Sequence, residues 1–165
     1  MRKIIYTDLP DGTKKLMIFD SSDGVYLFGY DCLQDSSSAW DNWFETVEEA
    51  DEYCKISYNL DKDNWIQISE PLENCQHDFV LPTRVKGKDQ GKPEWGHFQT
   101  KIGDKWIDIN QIEKYLSFNG LTINERLFVS GLISEFDNAK LNDKTNAIKI
   151  LKALKFDDKS IEHIV

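Results

Sequence analysis

Three cysteines among 165 residues, Cys32, Cys54 and Cys75, cannot all be paired, and no Asn-x-Ser/Thr acceptor occurs anywhere. Both scarcities argue against a secreted disulfide scaffold and for a reducing compartment. No run approaches the about eighteen consecutive apolar residues that a membrane span needs, and the start from Met1 to Asp8 turns polar too soon for a signal peptide. The expectation is a cytoplasmic protein with no membrane partner. Catalytic signatures are equally sparse. There is no glycine-rich nucleotide fingerprint, no Gly-x-Ser-x-Gly elbow and no Cys-x-x-Cys, and His77, His97 and His163 are dispersed. No cofactor or metal is implied, and an enzyme is the minority reading.

Cations are missing where carboxylates are densest. Between Asp31 and Asp78 only Lys55 and Lys62 face thirteen carboxylates, a net −11 against −9 for the whole chain, and Trp40, Trp43 and Trp65 lie in the same stretch. An acidic surface with aromatic anchors suits a basic protein partner and repels nucleic acid. The asymmetry continues outward: residues 1–87 carry −9 and residues 88–165 carry no net charge. With 40% apolar residues and 12% aromatics the chain still buries a core, which excludes wholesale disorder.

The pattern of elements is that of an α+β protein. Asp11-Gly12 and Asp23-Gly24 punctuate three apolar runs, residues 3–9, 14–19 and 25–30, which read as an antiparallel meander. In the middle run Leu16 and Ile18 alternate with Met17 and Phe19, so both faces are expected to be covered. Thr46 followed by Glu49 opens a helix with Val47, Ala50, Tyr53, Cys54 and Ser57 on one stripe. Residues 65–69 read as a fourth strand, and residues 79–85, with Pro82, as an edge piece. Residues 86–94 contain no large apolar member and read as an exposed linker or loop. The boundary is placed there, giving an acidic α+β domain over 1–87 and a β-hairpin with a three-helix module over 88–165, with packing as one unit the alternative. The hairpin turns at Gly103-Asp104 and the helical pattern begins at Ile112. Thr122 with Glu125 caps a helix carrying Leu127, Leu132 and Phe136, Asn142 or Asp143 starts another, and a short one closes the chain.

Two candidate sites follow. The first is partner-binding: Asp35, Trp40, Asp41, Trp43 and Glu45 from a loop of aromatics and acids, extended by Glu48, Glu49 and Glu52 on the outer helix face. Here Trp40 is expected to stand exposed as an anchor, while Trp43 and Phe44 pinning the loop to the sheet is the competing reading. The second is an alternative site at Cys75, His77 and Asp78, for a small enzyme with a thiol nucleophile or for ligand or metal binding, since a strand would place Cys75 and His77 on one face. Its second half-site is missing from the sequence. Asp61 and Asp63 begin like a calcium loop, but Trp65 and Ile66 stand where a ligand and a glycine are required.

Residues 30–44, residues 70–79 and the tail from Asn124 through Leu154 together resemble small bacterial proteins, some of which look like immunity proteins of polymorphic toxin systems. The resemblance implies a cytoplasmic acidic protein that blocks a sibling's toxin, and the acidic surface leads to the expectation that it occludes a basic, nucleic-acid-binding cleft. It carries no functional residues over to this chain.

Overall fold

The N-terminal meander forms as its turns require. In the computed structural model, which describes residues 1–109 and 120–165, β1 (Arg2–Tyr6), β2 (Lys15–Ser21) and β3 (Gly24–Tyr30) pair antiparallel in sequence. The aromatic stretch expected as a loop is itself a strand, β4 (Trp40–Phe44), paired with β3, and β5 (Ile66–Ile68) adds to β1. The sheet order is β4-β3-β2-β1-β5.

Strand alternation gives this sheet two apolar faces, and both are covered. On one face Ile5, Leu16, Ile18, Val25 and Leu27 meet Ala50 and Cys54 of α1 (Val47–Tyr58). Ser57 is exposed, so the buried stripe of α1 is narrower than its sequence suggests. Lys3 ties α1 down through a bidentate contact of 2.6 and 2.7 Å to Asp51.

On the other face Ile4, Met17, Tyr30, Ile66 and Ile68 share a core with the C-terminal helices. These are α2 (Ile123–Val129), α3 (Ile133–Asn142), α4 (Lys144–Ala153) and α5 (Asp158–Ile164). Thr122 and Glu125 form the expected capping box. The single helix expected across Leu127 and Phe136 is two, because Gly131 adopts φ +78° between them, and a Cβ there would lie 3.1 Å from Asp35 and Val80. The expected helical onset at Ile112 lies outside the described residues.

A smaller sheet, β6 (Thr83–Val85), β7 (Phe98–Ile102) and β8 (Lys105–Asp108), places β6 at an edge, as Pro82 suggests. The division at Gly87 falls inside this sheet, between β6 and its partner β7, and the principal core joins residues from both sides of it. Residues 86–97 form a closed, largely exposed loop, the second of the two readings of this stretch. The main-chain amides of Lys86, Lys92 and Glu94 donate to His97 O, Gly87 O and Lys86 O, all at 2.9 Å, and Trp95 stays exposed, so the loop is closed by its main chain and not by apolar packing.

Candidate partner interface

β4 divides the expected site. Its alternation sends Trp40 and Phe44 toward α1, where both pack on the core under the helix, and sends Asp41 and Trp43 to the opposite face. Trp40 is half-buried over Gly29, so close that a Cβ on that glycine would overlap the indole. It packs on the core, contrary to the expectation that it stands exposed, and the exposed tryptophan of β4 is Trp43, at 53%. Trp43 rests on Gly24, where a Cβ would also overlap, and its Nε1 donates to Asp23 O at 3.3 Å.

That contact brings in two residues that the sequence did not single out, Asp23 and Tyr26. The Ser21 hydroxyl donates to Asp23 at 2.5 Å and holds its carboxyl below the usual range, and the charge of Asp23 raises the Tyr26 phenol. Tyr26 stacks on Phe28 with ring centroids 5.8 Å apart, directly across β3 from Trp43 and Asp41. The Asp23-Gly24 turn was visible in the sequence, but its position beside Trp43 depends on the β3–β4 pairing.

The acids of α1 lie beyond the end of β4. Glu45, Glu48, Glu49 and Glu52 are all exposed. Glu49 also secures the start of the helix, since its amide donates to Thr46 Oγ1 at 3.2 Å and its carboxylate accepts from the Glu45 amide at 3.1 Å. The remaining candidate residues wrap the sheet edge, with Asp41 and Trp43 on one face and the helical acids on the other.

Asp35 leaves the set. Its two carboxylate oxygens accept from the Val80 and Leu81 amides, each at 2.8 Å, and its own amide donates to Val129 O at 2.8 Å. Burial raises its carboxyl to about 6, against the opposing charge of Lys15. Lys15 is fully buried, donating to Gln34 O at 2.8 Å with its ammonium 4.2 Å from the Tyr30 ring centroid, and burial pushes its pKa down. Both groups lock loops between the sheet and the helices, which is why neither can face a partner. A lysine beside the apolar run of β2 was the sequence signal for this cluster.

Cys75, His77 and Asp78 do not converge. The Arg2 guanidinium donates to Ser69 O and Phe79 O at 2.7 and 2.6 Å, and Cys75 N donates to Leu72 O at 3.0 Å, so the segment turns instead of forming the strand that would align them. Cys75 is buried and its thiol is raised by desolvation. His77 is exposed, tilted on Phe19 at 4.8 Å. Asp78 accepts from Ser38 N at 2.9 Å and, through its carbonyl, from the Tyr30 hydroxyl at 2.5 Å. Among the described residues no group of three His, Cys, Asp or Glu side chains is placed to hold a metal ion.

No protein-family model, curated protein or solved structure matches this chain. Among the described residues no helix is long and apolar enough to cross a membrane.

Proposed function

We propose that this chain is a protein-binding domain whose acidic, tryptophan-bearing sheet edge covers a basic surface on a protein partner, most concretely as an immunity-type inhibitor of a toxin. The observation that carries the reading is Trp43, held by Asp23 and Gly24 yet more than half exposed, with Asp41 beside it. A large aromatic fixed before binding loses little freedom on binding, which suits an anchor. The surrounding charge supports fast, salt-sensitive association with a cationic partner, the carboxylates standing where phosphates would lie. The resemblance of residues 30–44, 70–79 and the C-terminal tail supports the immunity assignment.

The test is to isolate the protein from cells that make it, together with whatever stays bound at low salt, beside a variant carrying Trp43→Ala and Asp41→Asn. The expected partner is basic, is released by salt, and is lost from the variant while the variant's unfolding curve stays near that of the parent. Recovery of an acidic partner, or equal recovery by both proteins, overturns the reading.

A further inference from the structure

The main sheet has two edges, and they are treated differently. At β5 the Ser69 amide and hydroxyl both donate to Glu135 of α3, at 3.3 and 2.9 Å, and Lys149 of α4 reaches Asp63 O at 2.6 Å. At β4, among the described residues, no strand lies beyond Trp40–Phe44. None of the core residues that the C-terminal helices share with the sheet comes from β4. A strand edge without a partner is a template for another chain, and burial of its amides and carbonyls requires that they be paired.

We propose that the edge of β4 accepts an extended, lysine- or arginine-bearing segment of the partner as an added strand. The inference rests on the function proposed above and specifies how the partner is held. Charge selects the occupant. Asp41, Glu45 and the neighbouring Asp23 would meet their own copies if a second molecule of this chain docked edge to edge, which like-charge repulsion opposes, whereas a cationic segment is attracted. Alternation fixes what each face of the added strand meets: Asp41 and Trp43 on one side, the Trp40 and Phe44 side on the other. On the first face the long alkyl stem of a lysine or arginine can lie along the indole while its charge reaches Asp41. Main-chain pairing supplies affinity and these side chains supply selectivity.

The probe is a synthetic peptide of about ten residues alternating lysine with valine and threonine. Three companions accompany it: one with glutamate for lysine, and two N-methylated along one backbone edge or the other. Binding is measured by calorimetry and amide exchange by NMR. The basic peptide is expected to bind, to slow exchange within residues 40–44, and to lose about tenfold or more in affinity when methylated on the pairing edge but not on the other. Asp41→Lys is expected to weaken it by about tenfold, while Asp137→Lys, the same charge change on exposed Asp137 of α3, alters it by less than about twofold. Equal binding of both methylated peptides with Asp41→Lys still weakening it overturns strand addition and leaves the acidic surface standing. Absence of binding, equal binding of the glutamate peptide, or indifference to Asp41→Lys overturns both. Slowed exchange at residues 40–44 that depends on protein concentration alone overturns the basic occupant in favour of a second copy.

Discussion

The indole of Trp43 rests on Gly24 of the adjacent strand, and its Nε1 donates to the carbonyl of Asp23 one residue earlier. A glycine with φ +130° thereby makes the hairpin turn and the seat of the exposed tryptophan at once. Gly24→Ala is expected to cost about 1–3 kcal/mol through backbone strain, and to displace the indole as well. Urea denaturation measures the first effect and the Trp43 Nε1–H resonance the second. An unshifted resonance in the folded variant would show that the glycine is not the seat.

The two tryptophans of β4 should separate cleanly. Trp40→Ala removes a half-buried ring from the core under α1 and is expected to cost about 2–4 kcal/mol, whereas Trp43→Ala is expected to cost about 1 kcal/mol or less. Partner affinity should fall for Trp43→Ala. Chemical denaturation of the two variants side by side checks the order, and a reversed order contradicts the assignment of faces.

Asp35 gives a signature in acid. Its folded value, about 6, lies above the usual 3.8, so it contributes stability that is fully present below about pH 4 and lost as pH rises through 6. The slope is at most about 1.4 kcal/mol per pH unit. Lys15, the nearest buried cation, is pushed down from 10.5, so its own contribution is present above 10.5 and lost as pH falls through its lowered value, in the opposite sense. Urea midpoints measured at pH 4, 5 and 6.5 should show the parent losing stability relative to Asp35→Asn as pH rises across this window. Parallel curves would remove Asp35 as the titrating group.

Thiol chemistry should distinguish the three cysteines. Cys54 is fully buried with its thiol pushed up to about 12, and Cys75 is buried and also raised by desolvation. Cys32 is half-buried, with Sγ 3.2 Å from Ser36 Oγ. A thiol reagent applied to the native protein should modify Cys32 first, and all three at comparable rates in urea. Rapid native modification of Cys75 would restore the thiol-based alternative.

Much of the fold was legible because local chemistry repeats. The Asp-Gly turns fix the meander, Thr46 and Thr122 mark helix starts by accepting the same amide-to-hydroxyl bond from the residue three positions on, and the doubly apolar β2 announces a sheet covered on both faces. The break at Gly131 has a local signal, a glycine inside the helical pattern that adopts φ +78°, whereas the packing of Asp35 and Val80 against that glycine depends on a distant loop. Exposure within the candidate site follows the expectation for some residues and departs from it for Asp35 and Trp40. Asp35 and Trp40 have the residue types of an interface, but Asp35 lies beside the amides of Val80 and Leu81, and Trp40 beside Gly29.

An acidic α+β chain with its carboxylates densest between Asp31 and Asp78, around three of its five tryptophans, follows from the order of residues alone, because charge and periodicity are properties of that order. Which of those side chains face outward does not follow from that order. That choice depends on the pairing of β3 with β4 and on the docking of the C-terminal helices, contacts between residues far apart in the chain. A shift of one residue in the β4 register would exchange Trp40 for Trp43, and the register is held by packing that no single segment specifies.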